Sequence, residues 1–409
     1  MTTQNQQVTA PVIAKMALES LKNNLVLGRL ISRDWDAEHQ YQQGDEILIR
    51  RPVMYSVRSG DVAQVQDTIE GSASIRFGSP FGVDLQFGAR ELTLSIPEFR
   101  RKLFLDEAMA AIGHEVDRQL FSLYRNVWQV AGTPGSTVDT FAKFDVAAER
   151  LNLGAVPMND RFAALTPSDT HPLVRTLTQS PADEQAARDA LRRGQVGNLN
   201  NIPTYMSQTL TTHQVGAYAG TPLVNGAGQA VTYLSVRNTM AQNLITDGWT
   251  GTTSRLNAGD VFTIANVFQV NPRTKVSTGV LQQFVVNTDV VADGSGNKTI
   301  SISPPIITTG PYQNVTAAPA DNAAMTVVGA ASSVGRVNLV MQKQAFTLIG
   351  RQLEPLDVPF QAYANDEATG LSVRISGAGD ITNNKNIKRL DVLLASAALR
   401  PEYAVRLGG

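Results

Sequence analysis

The side chains that most often carry catalysis are few and scattered in this chain. Its four histidines, His39, His114, His171 and His213, fall in four separate segments. None has a second histidine three or four residues away, so no helix face presents a pair of imidazoles to zinc. Asp34, Asp36, Glu38 and His39 are of the right types to hold a cation. As a charged cluster closing a polar N-terminal stretch, they read instead as a solvated face. His114, beside Glu115 within a helical pattern, reads as a solvent-facing or interface residue. Cysteine is absent, which removes thiolate nucleophiles, disulfides and thiolate metal sites. No G-x-x-x-x-G-K-[ST] loop is present to cradle a phosphate, and no G-x-S-x-G turn to raise a serine nucleophile. Gly294-Ser295-Gly296 sits between strand-like runs, where it is turn chemistry. No catalytic residue, metal or cofactor is expected.

What remains is the chemistry of contact. Arg50, Arg51, Arg58 and Arg76 are strung along one polar, glycine-rich stretch. They are candidate intersubunit contacts, each able to pair with a carboxylate of a neighbouring copy; solubility of an exposed loop accounts for them equally well. Asn297-Lys298-Thr299 and Asn314-Val315-Thr316 match the glycosylation triplet, a pattern that chance produces often.

The bulk composition narrows the partners. Lys+Arg 35 against Asp+Glu 36 gives a net charge of −1 over 409 residues. That is no surplus for neutralising nucleic-acid phosphates, and no basic cluster suits an anionic membrane. No apolar run reaches the ~18 residues of a membrane span. The opening MTTQNQQVTAPVIAKM lacks the basic-then-apolar order of a signal peptide. A soluble product of a reducing cytoplasm, with two or three domains, is expected.

The elements that must carry the contacts follow from periodicity. APVIAKMALESLKNNL predicts a short helix with Val12, Ile13, Met16, Leu18, Leu21 and Leu25 apolar, too short to hold a core alone. Ile47-Leu48-Ile49, and then Val83, Leu85 and Phe87, read as the legs of a long two-stranded ribbon whose polar middle has little to fold onto. After Leu92-Thr93-Leu94-Ser95-Ile96, Pro97 suits a first helical turn. From Phe99 the apolar stripe continues to about Trp128, a rod of roughly 48 Å that Gly113 could let bend. Phe141, Phe144, Ala148 and Leu151 mark a helix ending at Gly154, and Ser180-Pro181-Ala182-Asp183 starts another ending at Gly194. Strand-like pieces at 162–165 and 204–210 make this an α/β region. From about Gly216 to Gly335 helical periodicity disappears, and runs at 261–268, 281–286 and 299–303 predict a small sandwich or barrel. Asn338 onward (NLVMQKQAFTLI) resumes the earlier pattern, so the β-region is an insertion.

This order of parts resembles the major capsid proteins of tailed bacteriophages with the HK97-type fold. The insertion narrows the resemblance to the P22 coat protein type, which carries a telokin-like domain. The residues bearing it are LNAGDVFTIANVFQVN at 256–271, LQQFVV at 281–286, NLVMQKQAFTL at 338–348 and the closing GDITNNKNIKRL…AALRPEYAVRLGG. Gly379-Asp380-Ile381-Thr382 and Arg400-Pro401-Glu402 resemble the family's final strands. The fold implied is α+β: an N-terminal arm (1–43), an extended β-ribbon loop (44–90), a peripheral-domain strand and spine helix (91–135), and an axial domain in two parts (136–221 and 336–409). Between those parts comes an inserted all-β, Ig/telokin-like domain (222–335). The function implied is a shell protein assembling as hexamers and pentamers into an icosahedral virion capsid, with arm, loop and insertion touching neighbours. Implied partners are other copies, a separate scaffolding protein and a portal protein. Double-stranded DNA would be enclosed without specific binding, no membrane would be involved, and assembly would take place in the bacterial cytoplasm. Some shells of this fold weld subunits through an extended-loop lysine; residues 44–90 contain none, so that crosslink is not expected. Competing readings are an encapsulin-like compartment, an enzyme with a β-module, and a soluble binding protein with an Ig-like module.

Overall fold

In the computed structural model Pro97 does open the long helix, Pro97–Ser122. The structure describes residues 10–33, 46–63, 65–88, 97–178, 197–209, 211–358, 360–366 and 370–409. The expected strand at 92–96, the helix from Ser180 to Gly194 and the Asp34 to His39 cluster lie outside the described residues. The helix is shorter than its apolar stripe: 26 residues, about 39 Å. Leu123–Asn126 tightens into a 3-10 turn, and Val127 is already extended at φ −88 and ψ 118. That frees Val130–Ala131 to lie parallel to Ala404–Leu407 as an edge strand, with Trp128 and Val130 packed in an apolar cluster. Gly113 also lies where another helix passes close by. A Cβ there would stand 3.1 Å from Asn24 Cβ, so its bareness lets the helix Ala10–Asn24 approach closely.

Two compact units divide the chain. The first contains Met1–Ile47, Ser74–Phe121 and Phe346–Ala397. Its centre is the 13-residue strand Lys385–Ala397. On one side lies Leu371–Asp380, followed by Phe360–Asp366. On the other, Phe81–Gly88 pairs with the first part and Thr347–Arg351 with the last. The expected two-stranded ribbon is therefore split: Glu46–Arg50 pairs with Ser72–Arg76, while Phe81–Gly88 joins this sheet. Opposite charges face each other across it, Arg374 against Asp391 and Arg389 against Asp84. Arg374 Nη2 and Arg389 Nε both reach the fully buried Asp391, at 2.6 and 2.7 Å. The helix Ala10–Asn24 packs on this sheet through Ala14, Ala17, Leu18 and Leu21. Val12 and Met16, expected on the apolar face, are exposed. Asp117, buried on the long helix, accepts the N–H groups of Val26 and Gly28 at 2.7 and 3.1 Å. Its burial raises the carboxyl pKa, and those donors pull the other way.

The second unit is built around two six-stranded sheets. In the first, Val130–Ala131, Ala404–Leu407, Asn338–Gln342, Arg161–Leu165, Ile202–Met206 and Asn198–Leu199 lie in that order. The helix Phe141–Leu153, capped by Thr140 Oγ1 on the Lys143 N–H, lays Phe144, Ala147, Ala148 and Leu151 over it. Phe141, expected on that face, is exposed. The centre of this sheet is supplied by residues that come after the β-region, so it closes only when the chain returns from there. In the second sheet, Met325–Val327, Val261–Val270, Ser277–Val286, Lys298–Ser303, Gln242–Trp249 and Gly220–Val224 are all antiparallel. Phe262 faces Phe284 directly, with ring centroids 5.8 Å apart, in a core shared with Ile264, Leu244, Ile300 and Trp249.

Lys298 is buried in that core. Its Nζ lies 3.7 Å from the centre of the Trp249 ring and 3.2 Å from Ser254 Oγ. Burial drives its pKa down to about 8, with Asp260 pulling upward. Between pH 8 and about 10.5 the unfolded chain therefore binds more protons than the folded one, and stability rises with pH. The full difference is about 3 kcal/mol. Urea unfolding at pH 7 to 10 is expected to show a rising midpoint, and Lys298→Met a flat one. Parallel slopes would refute this.

No helix among the described residues is long and apolar enough to cross a membrane.

Candidate functional site

Two features stand out as contact-making structures: a projecting loop and the neck of the inserted sheet. The loop runs between Arg50 and Ser72. Its legs are tied by polar rungs rather than by a core. Arg51 N–H donates to the Gly71 carbonyl at 2.8 Å. Tyr55 and Thr68 hydroxyls meet at 3.3 Å. Gln66 closes a two-bond rung with the Ser56 backbone, at 2.8 and 2.6 Å. At the tip Val57, Val62 and Val65 are 99, 80 and 93 % exposed. Valine offers nothing to water, and the described residues of the chain leave all three uncovered.

The four arginines singled out from the sequence are not gathered into one site. Arg50 pairs with Glu70 of its own loop at 3.3 Å, both largely exposed. Arg51 Nε lies 3.4 Å from the Ser72 carbonyl. Arg58 binds the carbonyls of Gly60 and Val62, folding the tip. Arg76 is exposed on Ser72–Arg76. Three of the four thus shape the loop itself. Exposed ion pairs such as Arg50 with Glu70 contribute at most about 1 kcal/mol.

The neck is built by residues that sequence reasoning passed over. Thr212–Gln214 and Val334–Arg336, the strands leading into and out of the β-region, pair antiparallel with His213 opposite Gly335. His213 Nε2 meets Asp260 Oδ1 at 2.9 Å, and its Nδ1 meets the Tyr124 hydroxyl at 3.0 Å. Because a carboxylate only accepts, Nε2 carries a proton, and in the neutral ring Tyr124 donates to Nδ1. Asp260 Oδ2 also accepts the N–H groups of Gly216 and Asn257, at 3.0 and 2.8 Å. Arg406 spans the same junction: its guanidinium lies over the Tyr124 ring, 5.0 Å from the centre, and Nη1 donates to the Gly259 carbonyl at 2.6 Å. Burial lowers its pKa to about 10, against the pull of Tyr124 and Asp260. Gln283 completes the junction with a bidentate clamp on Val130, Oε1 accepting its N–H at 2.7 Å and Nε2 donating to its carbonyl at 3.1 Å. Trp128, Val130, Val261 and Val285 supply the apolar contact.

This constellation includes a histidine and a carboxylate, but its partners are a buried tyrosine ring and backbone amides, and its use is to join elements. The one local signal that could have found it is Gly259-Asp260, a glycine and an acid at a turn before a strand. Among the described residues no group of three or more histidine, aspartate or glutamate side chains is placed to hold a metal ion.

No curated protein matches the chain. A solved structure from Mycobacterium phage Che8 superposes with a TM-score of 0.50 at 9 % identity, over 93 % of this chain and 90 % of that one. The capsid structure of cyanophage P-SCSP1u aligns at 12 % identity with a TM-score of 0.45, over 90 % of this chain and 84 % of that one. The CUS-3 coat protein I-domain is 30 % identical across 27 % of this chain and 98 % of its own length, with a TM-score of 0.20. The α+β capsid fold of the HK97 type, expected from the order of elements, is the fold of this chain. The model of the family described as P22 coat protein, gene protein 5, matches residues 1–409, and the chain belongs to that family.

Proposed function

We propose that copies of this major capsid protein tile the icosahedral shell chiefly through the loop between Arg50 and Ser72, laid against the next subunit, with the inserted domain as its support. The division into arm, loop, spine, axial domain and insertion given by the sequence is the working map for that proposal. The observation carrying it is the apolar tip of Val57, Val62 and Val65, which its own subunit leaves exposed. Burying a valine contributes about 1.5 kcal/mol or more, and a shell repeats that gain at every contact. Arg50, Arg51, Arg58 and Arg76 then act in two ways. Arg50, Arg51 and Arg58 hold the loop and its tip in shape, and the exposed Arg76 pairs with a carboxylate of the neighbour. The near-neutral chain suits a wall that encloses DNA without gripping it. A separate scaffolding protein, a portal and assembly in the host cytoplasm complete the reading.

Electron microscopy of the expressed protein, alone and with a scaffolding partner, is the direct test. Closed particles or curved sheets are expected; a monomer that persists in every assembly condition would overturn the proposal. Deleting residues 222–335 tests the support role. The truncated chain is expected to be insoluble, because the neck and the Gln283 clamp lose their partners. A soluble deletion that still assembles would contradict it.

A further inference from the structure

Tyr312, in the β-region, touches both legs of the projecting loop. Its hydroxyl accepts the Met54 N–H at 3.2 Å and donates to the Ile69 carbonyl at 3.0 Å. Its ring lies flat on Tyr233, with centroids 3.4 Å apart and planes 5° from parallel. Val236 and Ile307 are buried in the same cluster, and Ile69 of the loop packs against it. A second grip lies just below. Asn238 Oδ1 accepts both the N–H and the hydroxyl of Ser72, each at 3.2 Å. Between these points Gly71 passes so close that a Cβ would stand 2.4 Å from the Arg237 carbonyl oxygen and 2.8 Å from the Tyr233 hydroxyl. Only glycine allows the return leg to lie there.

Above this grip the loop has rungs but no core, so its direction is decided at the base. From Met54 to the tip is at most roughly 24 Å of extended chain. A tilt of about 10° at the base therefore moves the tip by roughly 4 Å, enough to take a valine out of contact range.

We propose that Tyr312 is a positioning residue for shell assembly: by bridging Met54 and Ile69 it makes the inserted β-domain the mount that sets the direction in which the loop leaves its subunit. This rests on the reading that the loop contacts the next subunit. It gives the insertion a role beyond its own folding. The domain governs the geometry of a contact that it does not itself make, and hence the curvature at which copies close.

Tyr312→Phe in the full-length chain keeps the ring and its stack and removes only the hydroxyl. Hydrogen exchange of the unassembled protein is expected to be about tenfold faster at the Met54 amide, with an unchanged melting temperature. Assembled material is expected to show several particle diameters and open sheets where the parent chain gives one closed size. Gly71→Ala, which pushes the return leg off the mount, is expected to give the same mixture. Should Tyr312→Phe melt early, Asn238→Ala is read instead by exchange at the Ser72 amide and by particle diameter. Parent-like exchange at Met54 together with a single parent-like diameter would overturn the proposal. Deleting residues 55–67 separates the two ideas. If the deletion still forms normal closed shells, the loop-contact reading fails. If the deletion fails to assemble while Tyr312→Phe assembles normally, the mount alone is refuted.

Discussion

Asp260→Ala is expected to destabilise the second unit by about 4 kcal/mol, the largest effect of any single substitution proposed for this chain. Asp260 is 1 % exposed and serves three donors at once: the Gly216 and Asn257 amides and His213. Alanine strands the buried Gly216 N–H and leaves the His213 Nε2 proton with no acceptor. The tie between Tyr124, the neck strand and the β-region is lost with it. Asp260→Asn separates geometry from charge. Its carbonyl oxygen still takes the two amides, and its NH2 group can donate to His213 once the ring shifts its proton to Nδ1. Tyr124 then accepts from Nδ1 instead of donating to it. A cost of about 1 kcal/mol is expected for asparagine. Urea unfolding followed by tryptophan fluorescence, with Trp128 at the junction and Trp249 in the β-core, measures both variants. Equal losses for alanine and asparagine would show that the charge matters and the three-way acceptor does not.

Asp169 is the second critical acid. Fully buried, it takes the Val138 N–H at 3.0 Å, the Thr166 hydroxyl at 2.7 Å and the Asn338 amide at 2.9 Å. Arg336 Nε reaches it at 3.2 Å. It thus fastens the helix Pro167–Thr178 to Arg336 and Asn338, the residues on which the chain re-enters the sheet from the β-region. Asp169→Ala is expected to cost about 3 kcal/mol, and Asp169→Asn about half of that. Burial pushes the Asp169 pKa upward, but Thr166, Asn338, Arg336 and Val138 together outweigh it and hold the carboxyl below its ordinary value. A depressed acid contributes its stability in full above the unfolded value near 3.9. That contribution is lost as pH falls through the lower folded value. Acid unfolding of the parent chain is therefore expected to steepen below about pH 4, and Asp169→Asn to remove that step. An unchanged acid limb would sink the assignment.

The two acids also show why parts of the site could not be read from the chain alone. Asp169 and Asn338 are 169 residues apart, and Tyr124 and His213 are 89 apart. No local period links such pairs. His213 was passed over because no histidine lies three or four residues from it, yet its partners arrive from the end of the long helix and from the turn at Gly259. The long helix itself was legible from Pro97 and its stripe. Its end was not, because Leu123, Val127 and Trp128 continue the apolar pattern while packing in other elements. Phe81–Gly88 alternated as a strand should, but alternation says nothing about which strand will pair with it. Val12, Met16 and Phe141 carried the periodicity of a buried face, and the packing left them outside.

The sequence by itself determined the kinds of element, their order, the interruption by a β-rich stretch and the exclusion of thiolate chemistry, because each follows from local period, turn residues or composition. Only the tertiary structure decided which acid caps which amide, where the loop is held and how the return strand completes the sheet. Those outcomes depend on distances between residues a hundred or more positions apart, and burial alone determines which polar partners are worth keeping.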